Sequence, residues 1–382
     1  MSREPEAHKA ERETMGRGVS AVMSGESAAL GQGVVNPKAM NRETARALCQ
    51  LNTEFYERNA ASFSQTRTAP WEGWRRCMTA CGFDGLDEAV LDQPMDAQIA
   101  GSVLDIACGN LRFEAFLANA YPHIDWSFFA VDNCEPLVAS GQEDIAKKVY
   151  FTCEDIVSNL LEGLPAAEPA NIPAFAAATP FDLVVSFGFL HHIPSFDLRQ
   201  QFLLEALSQV KPGGYLVVSF WQFLNDPAKR AKIEQTHAEA LAFFADCEET
   251  CTNDRDALDR GAGSSSSRNP NQGSRKLAAF DPSFLESNDY FLGWKNQPGN
   301  YRYCHHFSNE EIDRIITALA PHATVVESFS ADGKPGNLNR YVVFRREELP
   351  IDSIPATNAL SSMIDEEIRQ HKVKMLVELM TN

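Results

Sequence analysis

Three acidic residues, Asp105, Asp132 and Asp155, each stand just after or at the end of a short apolar run. In an open parallel sheet, ligands bind outside the carboxyl ends of the strands, where such residues sit. Val103-Leu104-Asp105-Ile106-Ala107-Cys108-Gly109-Asn110 reads as a buried strand ending in an acid and a turn that opens into a helix. Small residues at Ala107 and Gly109 let the backbone approach a ligand, and Asp105 suits an ammonium group. Asp132, twenty-three positions after Gly109 and followed by Asn133, can accept the two hydroxyls of a ribose. Glu154 and Asp155 can accept from an adenine amino group while Ile156 packs on the ring. Each acid alone also reads as a solvated turn residue; three in series read as a nucleoside site. The run 181–192, Phe-Asp-Leu-Val-Val-Ser186-Phe187-Gly-Phe-Leu-His191-His192, supplies a further strand whose loop should border both this ligand and a second one.

The elements that must position these residues follow from the apolar spacing. Runs at 102–106, 126–131, 149–152, 181–187 and 214–220 alternate with helical spacing at 112–120 and 196–210. This is the pattern of an α/β protein, a doubly wound sheet with helices on both faces. Lys211-Pro212-Gly213-Gly214 stops a helix and turns the chain into the fifth strand, and runs at 324–329 and 340–344 bring the sheet to seven. Upstream, Ala45, Leu48, Leu51 and Phe55 have helical spacing behind Asn41 or Thr44 as a cap, and Ser308 with Glu311 forms a capping box. Residues 1–40 are expected to be a disordered leader, 41–348 the folded domain, and 349–382 a helical extension. Within the domain, the acidic and serine-rich stretch 246–277 is expected to be a disordered insertion.

Composition narrows the partners. Hydrophobic residues at 44% and charged residues at 23% fit a globular chain. No run approaches the ~20 apolar residues of a membrane span, and the first thirty residues lack the apolar centre of a secretory signal. A cytoplasmic location without membrane contact is therefore expected. The net charge of -18 works against polyanion binding unless a local basic patch supplies it. Nine cysteines, an odd number without a framework, suit reduced thiols, and neither Cys77/Cys81 nor Cys247/Cys251 has a second pair at zinc spacing, so no metal is expected.

Taken in order, Asp105 to Gly109, Asp132, Asp155, Ser186 to His192 and Lys211 to Gly214 resemble the sequence pattern of class I methyltransferases. The resemblance implies a Rossmann-like seven-strand sheet and S-adenosyl-L-methionine as cofactor, with Asp105 toward its methionine ammonium. The family's acid-x-Gly-x-Gly-x-Gly appears here as Asp105-Ile-Ala107-Cys-Gly109-Asn-Leu111, so Leu111 is expected to crowd the helix start. Outside the core, Tyr56, the Phe63-Ser64-Gln65-Thr66-Arg67 segment, Trp71 and the Tyr301-to-Phe307 segment are similar to the wobble-uridine tRNA methyltransferases that esterify 5-carboxymethyluridine. That narrower resemblance implies a cofactor or substrate clamp at Arg67, pocket walls at Tyr56 and Trp71, and substrate-side roles for Arg302, Tyr303 and His305. It also implies a small protein partner, which some of those enzymes need. One position departs, since Arg340 stands where that family carries tryptophan.

The acceptor decides which residues must act. A carboxylate, with an ordinary pKa near ~4, is already nucleophilic at pH 7 and needs no base. An amine or hydroxyl would require His191, His192 or Tyr303 to take a proton. Three functions fit: methylation of a carboxyl-bearing uridine in tRNA, methylation of a small metabolite, or cofactor-fold binding without catalysis.

Overall fold

The computed structural model describes residues 39–84, 99–166, 173–258 and 281–348. Its helices are α1 Arg42–Ser64, α2 Glu72–Ala80, α3 Arg112–Ala120, α4 Glu135–Val138, α5 Glu143–Ala146, α6 Ile156–Glu162, α7 Pro173–Ala178, α8 Phe196–Ser208, α9 Pro227–Leu258 and α10 Asn309–Leu319. Its strands are β1 Ile99–Ile106, β2 Ile124–Asp132, β3 Val149–Cys153, β4 Phe181–Ser186, β5 Val210–Trp221, β6 Asp289–Gly293, β7 Tyr301–His305, β8 Ala323–Ala331 and β9 Asn339–Arg346.

Seven strands form one sheet in the order β3-β2-β1-β4-β5-β9-β8, and β6 and β7 form a separate hairpin. β1 to β5 pair in parallel, whereas β9 runs antiparallel between β5 and β8. This is the expected α/β doubly wound, Rossmann-like sheet. Alternation along each strand sends its side chains to opposite faces. Leu104, Ile106, Val184, Leu216 and Val218 pack with α6 and α8 on one face. Val103, Phe128, Leu183, Val185 and Val217 pack with α2 and α3 on the other. Each such side chain, fully withdrawn from water, contributes ~1.5–3 kcal/mol. The strand order reverses between β1 and β4, the place where a doubly wound sheet leaves a crevice at its strand ends.

Local signals act as their chemistry requires, with two changes. Asn41 caps α1, accepting from the Thr44 N–H at 2.7 Å. Ser308 caps α10 through the Glu311 N–H at 3.1 Å, but the Glu311 carboxylate does not close the box, because it is taken by His305 and Arg199. Residues 246–258, expected to begin a disordered insertion, complete α9 instead. The stretch is acidic but holds no Gly or Pro before Gly261, and Glu, Ala and Leu favour helix. Residues 259–277, the leader before residue 39 and the extension 349–382 lie outside the described residues. No described helix is long and apolar enough to cross a membrane.

Candidate active site

The ends of β1 to β4 open onto a cavity of about 910 Å³. One side is formed by Ala107, Gly109, Asp132 and Asn133 after β1 and β2, and by Glu154, Asp155 and Ile156 after β3. The other side is formed by Tyr56, Arg67, Trp71, Phe187, His191 and Arg302.

The loop after β1 carries an unusual backbone. Ala107, Gly109 and Leu111 all adopt positive φ, at 66°, 58° and 57°. The three positions where class I sequences carry glycine thus keep the left-handed geometry that favours glycine, although only one is glycine. Leu111, expected to crowd the helix start, does not line the cavity; its side chain packs into an apolar cluster with Cys108, Ala115, Ala130, Val138 and Ile145. Asp132 fastens the loop from β2: Oδ2 accepts the Gly109 N–H at 2.9 Å and Oδ1 the Cys134 N–H at 2.8 Å. Asn133 donates to Thr53 Oγ1 at 3.2 Å, and Asp155 caps α6 by accepting from the Ser158 N–H at 3.0 Å.

The opposite side is cationic and aromatic. Arg302 is 6% exposed, and its Nε and Nη1 have no hydrogen-bond partner. The rings of Phe55, Trp294, Phe63 and Trp221 surround its guanidinium at 4.9, 5.8, 5.9 and 6.0 Å. Arg67 stacks on Phe63 at 3.5 Å and donates from Nη1 to Thr66 Oγ1 at 2.7 Å; burial lowers its pKa to about 10. Trp71 lies against Gly188, where an added Cβ would come within 2.9 Å of the indole. Arg112 sits 5.5 Å from that indole, and Phe187 packs near both Trp71 and Trp74.

The two histidines are neutral. Nδ1 of His192 lies 2.9 Å from the Tyr303 carbonyl and 3.1 Å from the Asn52 amide nitrogen, and Nε2 lies 2.8 Å from the Tyr56 hydroxyl. Burial and then Arg302 lower His192 to about 3. Burial, His192 and Arg302 hold His191 well below the usual histidine range, its ring set between His192 and Trp221. His191, His192 and Cys304 bring ligand-type atoms within 4.8 Å of one another, but the buried Arg302 beside them disfavours a second cation.

Four expected site residues do not line the cavity. On β7 the side chains alternate, so Arg302 faces the cavity while Tyr303 and His305 face away. Tyr303 donates from its hydroxyl to Asp289 Oδ1 at 2.8 Å, and its backbone N–H is held by Asn52 Oδ1 at 2.8 Å. His305 bridges Asp289 Oδ1 at 2.7 Å and Glu311 Oε2 at 2.6 Å, next to the buried Arg199. Burial and Arg199 act to lower the His305 pKa, but its carboxylate bonds outweigh them and raise it. Ser186 ties β4 to β1 through the Ile106 carbonyl at 3.0 Å. Asp105 is buried beneath the loop, where Oδ1 has no partner.

The cavity also holds residues that the sequence patterns passed over, notably Asn52, Asn110, Arg112, Trp221 and Trp294. Asn52 had a signal, being a polar residue on the apolar stripe of α1 between Leu48 and Phe55. Trp294 follows β6 in a hairpin without a periodic pattern of its own and had none.

Residues 103–214, spanning β1 to the start of β5, match the family model described as "Methyltransferase domain". Over this segment the chain resembles a methyltransferase domain. Among curated proteins, none matches its sequence. Its path is similar to that of a methyltransferase from Methanosarcina mazei, at 15% identity over 66% of this chain and 95% of that one, with a TM-score of 0.39. A DhpI–SAM–HEP complex gives 16% identity over 79% and 99%, with a TM-score of 0.42. A magnesium protoporphyrin IX methyltransferase from Synechocystis, crystallised with SAH, gives 12% identity over 77% and 97%, with a TM-score of 0.36.

Proposed function

We propose that the enzyme transfers the methyl group of S-adenosylmethionine to a carboxylate. The residues after β1 to β3 fit this cofactor. A Cβ at Gly109 would meet only Leu137, at 3.8 Å; Asp132 presents a carboxylate anchored by two N–H groups but retaining acceptor capacity for ribose hydroxyls, and Glu154 with Ile156 borders the next strand end. When bound, the cofactor supplies a sulfonium-linked methyl group for in-line displacement. The protein's own work is to align the acceptor, hold its charge and exclude water.

The observation that supports a carboxylate acceptor is Arg302, a buried guanidinium on the cavity wall with two nitrogens lacking partners. A desolvated cation is costly unless an anion completes its hydrogen bonds, and guanidinium matches carboxylate in two-point geometry. The neutral His191 and His192 are not needed, because an ionised carboxylate requires no proton acceptor.

The resemblance around Tyr56, Arg67 and the β7 segment supports a carboxymethylated wobble uridine in tRNA as the acceptor, with a small protein partner. The net charge of -18 favours the second reading, a small carboxylate metabolite. Incubation of the enzyme with methyl-labelled cofactor and either bulk tRNA or a metabolite extract tests both. The expected product is a base-labile ester that releases labelled methanol in mild alkali. A base-stable product, on nitrogen or an ether oxygen, overturns the carboxylate assignment. Cofactor binding without transfer to either pool favours a binding protein.

A further inference from the structure

Three carboxyl groups lie close enough to repel one another around the loop 107–111: Asp105 near the end of β1 and Glu114 in the first turn of α3, both away from the cavity, and Asp132 at the end of β2, which lines it. Asp132 is satisfied by the Gly109 and Cys134 N–H groups. The others are not. Glu114 is 0% exposed with neither oxygen hydrogen-bonded to another residue, and Asp105 is 3% exposed with Oδ1 unpaired. The charged group opposing them is Arg112, which is itself engaged by the Asn110 side chain at 3.2 Å and the Ala69 carbonyl at 2.9 Å. Cys108, the remaining titratable neighbour, stays a thiol because burial raises its pKa.

So many buried carboxyls cannot all ionise, because each loses its hydration and repels the others. Burial and then Glu114 and Asp132 hold Asp105 well above the carboxylate range; burial lifts Glu114 to about 8, although its own backbone N–H favours the anion. The pair therefore carries a proton at neutral pH. Methyl displacement onto a carboxylate has no use for it.

A cation arriving on the other side of the loop would displace that proton. S-adenosylmethionine carries a sulfonium charge that its demethylated product lacks, the two being otherwise alike. We propose that Asp105 and Glu114 form a charge sensor beneath the cofactor loop, releasing a proton to solvent when the sulfonium binds and regaining one when methyl transfer removes that charge. The device rests on S-adenosylmethionine being the cofactor. It would make the enzyme prefer donor over spent product, and this preference would grow as pH rises toward 8, where less protonation has to be undone.

Isothermal calorimetry on the full chain at pH 7.5, run in phosphate and in Tris, whose ionisation enthalpies differ, counts the protons exchanged. S-adenosylmethionine should release more protons than S-adenosylhomocysteine, and Glu114→Gln should abolish that difference while both ligands still bind. Equal proton counts for the two ligands in the wild type overturn the proposal, and this arm requires no variant to fold. A difference that persists in both Glu114→Gln and Asp105→Asn overturns it as well. Binding of neither ligand removes the cofactor assignment and the sensor together, whereas binding with equal counts removes the sensor alone.

Discussion

The Arg302 guanidinium lies 4.9 Å from the Phe55 ring centroid, and neither its Nε nor its Nη1 meets an acceptor. Ring faces offset part of the lost hydration of a buried cation but cannot replace hydrogen bonds. Without its acceptor the enzyme should therefore be destabilised by this residue. Arg302→Met, similar in length and uncharged, should hold or raise the melting temperature. The same change should lower kcat/KM for a carboxylate acceptor by about 10²-fold or more, as expected on losing two charge-assisted hydrogen bonds. Thermal melts and turnover on one preparation check both. A lower melting temperature with normal turnover would make Arg302 a structural residue.

The histidines give a second expectation. His192 is lowered to about 3, and burial with His192 and Arg302 holds His191 well below the histidine range, so neither should gain a proton near pH 6.5. The rate of carboxylate methylation should then show no rise through pH 6.5. His191→Asn should cost less than the ~10²-fold that marks the loss of a general base. His191 is the cleaner choice, since His192 also holds Tyr56 and the Tyr303 carbonyl. A rising limb near 6.5 that vanishes in His191→Asn would establish a base and an acceptor that must lose a proton.

The sheet was legible because parallel strands buried on both faces read as continuous apolar runs, and Asp132 and Glu154 were legible because acids at strand ends border the crevice. β7 was misread in part. A segment reading Tyr301-Arg302-Tyr303-Cys304-His305 offers three polar candidates, and only its strand geometry divides them, with Arg302 to one face and Tyr303 and His305 to the other. The cluster holding His305 draws Arg199, Glu286, Asp289 and Glu311 from separated stretches, a convergence that no local spacing reveals. Glu114 looked like an ordinary acid in a first helical turn. Its burial and its nearness to Asp105 and Asp132 arise from residues distant in sequence, which its own neighbours do not encode.

The left-handed backbone at Ala107 and Leu111 supplies a stability test. Non-glycine residues in this region carry a penalty of roughly 1–2 kcal/mol, partly offset by the greater unfolded-state freedom of glycine. Ala107→Gly should therefore stabilise the fold by ~0.5–1 kcal/mol. Leu111→Gly should destabilise it by ~2 kcal/mol or more despite a similar φ, because the leucine is 1% exposed within its cluster. Urea denaturation of the two variants decides the matter. Equal effects would mean that backbone strain, not burial, governs both positions.

Glu114 makes the pH dependence of stability specific. Its carboxyl sits at about 8 in the folded chain against an ordinary 4.5, so between those values the folded protein holds a proton that the unfolded chain has shed. Stability contributed by this group is complete below pH 4.5 and declines as pH rises toward 8, at up to about 1.4 kcal/mol per pH unit. Asp105, raised in the same direction, adds to the decline. Glutamine copies the protonated form and cannot ionise, so Glu114→Gln should match the wild type near pH 5 and exceed it progressively toward pH 8. Asp105 alone would leave a residual slope in the variant. Urea midpoints at pH 5, 6.5 and 8, with unchanged m-values, measure the divergence. Curves that remain parallel across this window would mean that Glu114 is ionised in the fold, matched by a cation or water, and they would remove the proton on which the sensor depends.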